Sequence, residues 1–294
     1  MSFVAAEIAA QPDLWGCAAE LAQTPAVAAA LPSCGARAAV VGCGTSLYMA
    51  RAWAALREDR GHGQTDAFAA SEFPLGRRYD HVVAITRSGT TTEVVRLLDA
   101  MRGALRTTVL TTGEDLPAAH AAGESVALEF ADERSVVQTR FATCALALLR
   151  AHLGEDLSLA VADARTELDR PLPADALTRR QFTFLGTGWT VGIAEEAALK
   201  LREAAQAWTE AYPAMEFRHG PMSVVGEGSL VWIFGVAPAG IVDEIARTGA
   251  QVVTSDADPM AHLVRAQRLA VAIAEDRGLD PDAPRNLTRS IVLS

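Results

Sequence analysis

Short apolar runs, polar turns and amphipathic stretches recur in a fixed order along the chain. In the segment ARAAVVGCGTSLYMARAWAALRE, an apolar run at Ala38–Val41 predicts a buried strand, which a glycine turn and an amphipathic helix follow. The order repeats in HVVAITRSGTTTEVVRLLDAMRG, with a strand predicted at His81–Thr86 and a helix from about Thr91. A further strand and a long helix are predicted in RTTVLTTGED and SVVQTRFATCALALLRAHLG. Strands that alternate with helices predict an α/β fold with parallel sheets flanked by helices.

The same pattern begins again after a polar segment that contains Pro171 and Pro173, GEDLSLAVADARTELDRPLPADALTRR. A strand, a glycine turn and a helix are predicted in RQFTFLGTGWTVGIAEEAALKLREAA, and a second strand and turn in SLVWIFGVAPAGIVDEIART. This order indicates an internal duplication. We therefore predict a first domain over residues 1–155, a connection over 156–178 and a second domain over 179–294.

Composition restricts the classes of partner. The chain has 294 residues, half of them hydrophobic, and a formal net charge of -10, which argues against nucleic acid or an anionic membrane as the main partner. The start of the chain has no basic segment typical of a signal peptide, and no apolar run approaches the roughly 18 residues of a membrane helix. We expect a cytoplasmic protein. The four cysteines lack metal-site spacing, so we expect buried thiols and no metal: Cys17, Cys34, Cys43 and Cys144.

A hydroxyl-rich turn, Thr86–Val94, lies between a predicted strand and a predicted helix. Backbone N–H groups at a helix N-terminus favour an anion, and four hydroxyls could donate to phosphate oxygens: Thr86, Ser88, Thr90 and Thr91. Hydrogen bonds to a charged group contribute roughly 1.5–3 kcal/mol each, so three or four would hold a phosphomonoester. A capping box of Thr90 with Glu93 would explain the same residues without a ligand, and both interpretations stay open.

A second turn, Gly42–Ser46, suggests a dinucleotide site but does not fit the G-x-G-x-x-G pattern, because Leu47 occupies the third glycine position. The corresponding turn of the second half fails in the same way at Val191. Thr45 and Ser46 favour a compact phosphate over a nicotinamide cofactor. No cofactor is predicted.

The chain contains one lysine, Lys200, on the helix predicted from about Gly192. Lys200 and Glu203 are three residues apart and share a helix face. The loop that ends in Gly220-Pro221 presents His219. A glutamate and a histidine that converge could move a proton between adjacent carbons and open a sugar ring. On spacing alone, a solvated ion pair and an ordinary loop histidine stay open.

Six segments occur in one order along the chain: GCGTS, ASEF, ITRSGTTTE, ALKLRE, EAYPAMEFRHGP and PRNLTRSIVLS. Together they resemble the SIS (sugar isomerase) superfamily, and more closely the isomerase half of the glutamine:fructose-6-phosphate amidotransferases. The resemblance covers essentially the whole chain. It implies two tandem SIS domains of flavodoxin-like α/β type and a ketose or aldose 6-phosphate as substrate.

Carried over position by position, the resemblance implies a role for each candidate residue. Glu203 matches the base that shuttles a proton between C1 and C2, and Lys200 matches a lysine of the active-site helix. His219 matches the ring-opening histidine, which the neighbouring subunit supplies in that family, so a homodimer is implied. The phosphate ligands would be Ser46, Thr86, Ser88 and Thr91, with Thr45 as a further substrate contact.

Two positions depart from the family pattern. Arg289 stands where relatives have a Schiff-base lysine; its guanidinium stays protonated and does not form an imine, though it could bind a hydroxyl or an anion. Arg87 replaces the usual glutamine and adds a positive charge beside Ser88, where it could tighten phosphate binding or accommodate a second anionic group. Because the chain starts at the isomerase half, we expect no glutaminase domain and no glutamine-dependent synthesis by this chain alone.

The leading hypothesis is an enzyme that acts on a hexose 6-phosphate, as an aldose–ketose isomerase or an amino-sugar-phosphate isomerase/deaminase. A fructosamine-6-phosphate deglycase is the second hypothesis, since relatives of this two-domain form include such enzymes. A non-catalytic sugar-phosphate sensor is the third. The presence of both Glu203 and His219 argues against a pure sensor, because phosphate binding alone needs neither.

Overall fold

Two parallel sheets form the framework of a computed structural model that describes residues 2–293. Their strands are β1 (Ala38–Gly42), β2 (Thr65–Ala69), β3 (His81–Ile85), β4 (Arg106–Thr111), β5 (Glu124–Ala127), β6 (Gln181–Gly186), β7 (Thr209–Pro213), β8 (Ser229–Phe234) and β9 (Gln251–Val253). The helices are α1 (Phe3–Ala22), α2 (Pro25–Ala30), α3 (Thr45–Asp59), α4 (Thr92–Met101), α5 (Pro117–Ala121), α6 (Arg140–His152), α7 (Ser158–Asp169), α8 (Thr190–Ala205), α9 (Ile241–Ala246) and α10 (Pro259–Asp276).

The first sheet has the strand order β2-β1-β3-β4-β5, and all its neighbouring strands are parallel. Val40 of β1 pairs with Ala67 on one side and Val83 on the other. Every residue of β1 and β3 is buried. Strands covered on both faces read as continuous apolar runs, which is why the sequence showed no alternation there. This order is the flavodoxin-like arrangement.

The second sheet repeats that order over four strands, β7-β6-β8-β9, again in parallel. Phe184 of β6 pairs with Trp232 of β8. The Phe184 and Phe234 rings stack with their centroids 6.3 Å apart and form part of the core. The predicted fold class, two tandem flavodoxin-like α/β domains, is confirmed.

Contacts along the chain define two compact units, and each unit is assembled from three segments. The first-sheet unit comprises Asp13–Glu133, Gln138–Leu157 and the segment from Thr288 onward. The second-sheet unit comprises the segment ending at Pro12, Arg134–Val137 and Ser158–Leu287. The domain bounds 1–155 and 179–294 stay a prediction. The connection predicted over 156–178 contains helix α7, which the polar sequence did not suggest.

Two local expectations are wrong. The long helix begins at Arg140 rather than within the preceding residues 135–139, because the Glu133 carboxylate accepts the N–H groups of Thr139 and Arg140 at 2.6 and 2.9 Å. All four cysteines are free thiols as expected, but Cys17 and Cys34 are exposed rather than buried.

Within residues 2–293, no helix combines the length and the apolar character that a bilayer crossing requires.

A buried histidine lies in the core of the second-sheet unit. His262 of α10 is 1% exposed, and its Nδ1 accepts the indole N–H of Trp232 at 3.2 Å. Burial, with a smaller contribution from Arg265, lowers the pKa of His262 from 6.5 to about 3. This ring is therefore neutral in the folded protein at physiological pH.

Candidate active site

The turns that follow β1 and β3 lie beside each other at the carboxyl edge of the first sheet, because these strands are adjacent and parallel. The strand order reverses between β1 and β3, and this is the point where open α/β sheets bind ligands. The first turn leads to Thr45 and Ser46, which are both buried in the first turn of α3. The second turn carries Thr86, buried, and Ser88, partly buried.

Two glycines fix the backbone path of these turns. A Cβ atom at Gly42 would lie 2.6 Å from the carbonyl carbon of Ser46, so only glycine allows the first turn of α3 to approach so closely. Gly89 has a φ of +61°, and a Cβ atom there would lie 2.7 Å from the Cβ of Leu116. Both turns therefore depend on glycine for their shape.

The half-buried thiol of Cys43 lies in the first turn. Burial, with a smaller contribution from the charge of Glu93, raises the pKa of Cys43. The thiolate form, which is the nucleophile, is disfavoured here. Cys43 therefore belongs to the packing of the turn rather than to its chemistry.

Hydroxyl groups of the second turn form a hydrogen-bonded cluster. The Oγ of Ser88 lies 3.4 Å from Oγ1 of Thr91 and accepts the N–H of Thr90 at 3.2 Å. Ser88 and Thr90 both donate to the Oγ of Ser290, at 3.1 and 2.8 Å. The N-cap of α4 is Thr91, so the alternative capping box of Thr90 with Glu93 is wrong.

The C-terminal tail, residues 288–293, lies along this turn. The guanidinium of Arg87 donates to the carbonyl of Arg289 at 3.1 Å, and the N–H of Thr92 donates to the carbonyl of Ile291 at 3.1 Å. The N–H of Leu293 donates to Oγ1 of Thr92 at 2.8 Å. The tail thus supplies Ser290 to the hydroxyl cluster, a residue to which the sequence alone gave no role.

Arg87 and Arg289 are both engaged by acidic neighbours. Nη1 of Arg87, which is 4% exposed, lies 3.6 Å from the fully buried carboxylate of Glu133. Arg289 pairs with the carboxylate of Asp132 and donates to the carbonyl of Glu133. Glu133 thus links the second turn, the start of α6 and the tail. Sequence analysis missed it, because an acidic residue within a short charged run carries no sign of burial.

Helix α8 of the second-sheet unit brings Lys200 and Glu203 together. The Lys200 ammonium is 1% exposed and contacts the Glu203 carboxylate, which is 19% exposed. It also lies 3.6 Å from the fully buried carboxylate of Glu196. Burial of this degree excludes the solvated ion pair left open by the sequence. Glu196 was missed, although its spacing of four residues from Lys200 was visible.

His219 lies at the other end of this sheet from Glu203. Glu203 is in the last turn of α8, which leads to the amino end of β7 at Thr209. His219 is exposed on a 3₁₀ turn beyond the carboxyl end of β7, a strand of five residues that spans roughly 16 Å. Within one chain, the glutamate and the histidine do not converge.

The turn that carries His219 is tied to α9. Arg218 donates from Nε and Nη2 to the Glu244 carboxylate, at 2.7 and 2.9 Å. This hydrogen-bonded pair lowers the pKa of Glu244. Arg218 also donates to the carbonyl of Ala239 at 2.8 Å. The backbone beside His219 is therefore anchored, while the imidazole stays exposed.

Among the described residues, no group of three His, Cys, Asp or Glu side chains could hold a metal ion.

Known proteins resemble the chain in sequence and in fold. No family model matches it. It is 28% identical over 264 residues to the glutamine–fructose-6-phosphate aminotransferase of Pyrobaculum aerophilum, over 73% of this chain and 44% of the relative. The chain spans about half the length of the curated relatives it matches.

Two solved structures share the fold over almost the whole chain. The glucosamine-6-phosphate deaminase of Thermotoga maritima has a TM-score of 0.83 and 24% identity, covering 99% of this chain and all of that one. The C-terminal domain of the glucosamine-fructose-6-phosphate aminotransferase of Francisella tularensis has a TM-score of 0.77 and 19% identity, covering 97% and 98%. The resemblance predicted from the six sequence segments is confirmed.

Proposed function

We propose that this chain is an enzyme that acts on a hexose 6-phosphate, as an aldose–ketose isomerase or an amino-sugar-phosphate isomerase/deaminase. It has the fold of two tandem SIS domains, and in sequence it resembles the isomerase half of the glutamine:fructose-6-phosphate amidotransferases. The observation that carries the proposal is the ion pair of Lys200 with Glu203, in which a buried ammonium contacts a carboxylate that remains accessible.

The hydroxyl cluster is the proposed phosphate site. Ser46, Thr86, Ser88 and Thr91 belong to the two turns at the switch point of the first sheet. In the tail-bound state, Ser290 accepts hydrogen bonds from Ser88 and Thr90, as a phosphate oxygen would. A phosphate would therefore compete with Ser290 for these donors. Arg87 would contribute by holding Glu133 and the tail in place, as well as by its charge.

Glu203 is the proposed base that carries a proton between C1 and C2. A carboxylate can remove the C1 proton of an open-chain ketose phosphate and return it to C2 through an enediol. The Lys200 ammonium would stabilise the negative charge that develops on the substrate oxygens. His219 would assist ring opening by moving a proton between the ring oxygen and the anomeric hydroxyl.

Glu203 and His219 lie at opposite ends of the second sheet, so one chain does not supply both to one site. We therefore propose a homodimer in which His219 of one copy serves the Glu203 of the other. An exposed histidine on an anchored turn suits such a role.

The test is proton NMR of the purified protein with fructose 6-phosphate, and then glucosamine 6-phosphate, in D2O. Deuterium incorporation at C1 or C2 by the wild type, lost in Glu203→Gln, would support the proposed proton transfer. The matched control is Glu210→Gln, which removes a carboxylate from β7. A new aldose would identify an isomerase, and released ammonia a deaminase.

Three outcomes would reject the proposed activity or the proposed role of Glu203. Release of an amino compound from a phosphorylated fructosamine, without exchange on either sugar phosphate, would identify a deglycase. Binding of a sugar phosphate without any exchange or product would identify a sensor. Equal exchange by the wild type and Glu203→Gln would remove Glu203 from the mechanism.

A further inference from the structure

A cavity of about 550 Å³ lies at the amino edge of the first sheet. Its walls are the segment 75–80, which leads into β3, and residues 100–105 at the end of α4. Strand β3 has five residues and spans roughly 16 Å between this edge and the hydroxyl-rich turn at its carboxyl end. The cavity is therefore separate from the candidate phosphate site, and its volume is within the range of small-molecule sites.

The deeper part of the cavity is apolar. The buried ring of Tyr79 packs against Phe68 and Phe73, with ring centroids 6.3 and 5.7 Å apart. Met101, also buried, lines the cavity from the last turn of α4. Leu75 lines it as well, although 64% of this residue is exposed. An apolar group in the cavity would therefore cover leucine surface that the fold leaves in water.

Two guanidinium groups line the same cavity, those of Arg77 and Arg78. Arg77 is held in place, because its Cζ lies 5.6 Å from the centre of the Phe68 ring and its Nη1 lies 3.6 Å from the Asp66 carboxylate. Arg78 is exposed and makes no hydrogen bond or ion pair with another described residue. The N–H groups of Arg78 are therefore available to a ligand.

Asp80 is the acidic residue of the lining, and it has a structural task. Its Oδ2 accepts the backbone N–H of Arg37 at 2.8 Å, and its own N–H donates to the Arg37 carbonyl at 2.8 Å. These bonds anchor the segment 75–80 to the residue before β1. One carboxylate offsets one of the two guanidinium groups, so the lining keeps a net positive charge in a chain with a formal net charge of -10.

The end of α4 would disfavour an anion if its carbonyl groups were open, because they form the negative end of the helix dipole. The Met101 carbonyl, however, accepts the N–H groups of Ala104 and Leu105 at 2.9 and 3.1 Å. The carboxylate of Asp99, in the same turn, pairs with Arg102 at 2.7 Å. The polar groups that remain for a ligand are thus the guanidinium groups.

We propose that this cavity is a second binding site, which takes an organic anion with an apolar body. The anionic group, a carboxylate, phosphate or sulfonate, pairs with Arg78, and the apolar body covers Leu75 and contacts Met101. Arginine suits this role because its planar N–H groups match the oxygen atoms of such anions. An inorganic anion would leave the apolar surface in water, and an uncharged apolar ligand would gain nothing from Arg78.

The first measurement is a fluorescence titration of the folded protein at pH 7 with anilinonaphthalenesulfonate, and with the uncharged phenylnaphthylamine as the matched probe. In Arg78→Gln and in Leu75→Ser, we expect the dissociation constant of the anionic probe to rise at least about fivefold. The uncharged probe should respond to Leu75→Ser but not to Arg78→Gln. The control variants are Arg247→Gln and Leu159→Ser, which change exposed residues of the second-sheet unit and should leave both constants unchanged.

The second measurement locates the probe. The chain contains six methionines, so protein labelled with carbon-13 in its methionine methyl groups gives a simple NMR spectrum, in which Met101→Leu and Met260→Leu assign two signals. The anionic probe should shift the signal of Met101. It should leave that of Met260 unchanged, because this residue is buried in the second-sheet unit.

Four outcomes would overturn the proposal. Equal responses of the two probes to Arg78→Gln would remove the charge from recognition, and an unchanged Met101 signal would place the probe elsewhere. Competitive displacement by fructose 6-phosphate would place it in the candidate active site. Probe binding that weakens as the protein concentration rises would show that a second copy covers the cavity. None of these results depends on whether the chain exchanges deuterium into a sugar phosphate, so this site and the proposed function are tested separately.

Discussion

The buried imidazole of His262 should make the second-sheet unit sensitive to acid. Burial lowers the pKa of His262 from 6.5 to about 3. The imidazole is therefore protonated near pH 6.5 in the unfolded chain but only near pH 3 in the folded chain. The contribution of the neutral imidazole to the free energy of unfolding is therefore fully present above pH 6.5, and it decreases as the pH falls below that value. Between pH 8 and pH 5 this single group removes about 2 kcal/mol from the free energy of unfolding.

The perturbation is His262→Asn. An asparagine oxygen can take the place of Nδ1 and keep an acceptor for the indole N–H of Trp232, which the histidine accepts at 3.2 Å. The smaller side chain costs stability at every pH, but it does not titrate. We expect the variant to lose about 2 kcal/mol less than the wild type between pH 8 and pH 5.

The assay is urea unfolding of both proteins at pH 8, 7, 6 and 5, followed by circular dichroism. Carboxylates that titrate in this range contribute equally to both proteins and cancel in the difference. His120→Asn is the matched control, since that histidine is exposed on the surface, and it should keep the wild-type pH dependence. Parallel curves for the wild type and His262→Asn would refute the reasoning.

Three further predictions concern the site. Glu203→Gln and His219→Asn should each be inactive in deuterium exchange. An equal mixture of the two variants, after their subunits have exchanged, should recover about one quarter of the wild-type rate, because half of the dimers then contain one intact site of two. No recovery would reject the shared site. The wild type, treated with borohydride and fructose 6-phosphate, should form no covalent sugar adduct on its buried lysine, whereas Arg289→Lys should form one. Mass spectrometry of the intact chain measures the adduct, and an adduct on the wild type would contradict this prediction. Ser290→Ala should lower the dissociation constant for inorganic phosphate roughly three- to tenfold, because the hydroxyls of Ser88 and Thr90 lose a competing partner. Calorimetry measures this constant, and weaker binding by the variant would refute the competition.

The sequence was sufficient for the parts of the fold that local pattern determines. The apolar runs at β1 and β3 are buried along their whole length, and the sequence located each strand within one residue of its observed end. The repeat of the same order identified the segments that contain β6 and β8. Helix α7 was overlooked because half of its residues are polar and only three of them are buried. The start of α6 was misplaced because a distant carboxylate, that of Glu133, determines it.

The candidate site was predictable where residues are close in sequence. The contact of Lys200 with Glu203 follows from helix geometry. The hydroxyls of Ser88 and Thr91 cluster because they are close in sequence within one turn. The contact of Ser88 with Ser290 joins residues 202 positions apart, and no spacing rule predicts it. The burial of Glu196 depends on what packs against α8, so its importance was not visible in a run of charged residues.

Each of the two compact units is assembled from segments that are far apart in the sequence. Glu7 is buried and accepts the N–H of Arg134, so the start of the chain is built into the unit that contains the second sheet. The N–H groups of Phe3 and Val4 likewise donate to the carboxylate of Asp282, at 2.7 Å each. A cut between the halves would thus leave each fragment without a piece of its own framework. The two halves of the sequence therefore depend on each other, and fragments 1–157 and 158–294 should regain structure only when expressed together.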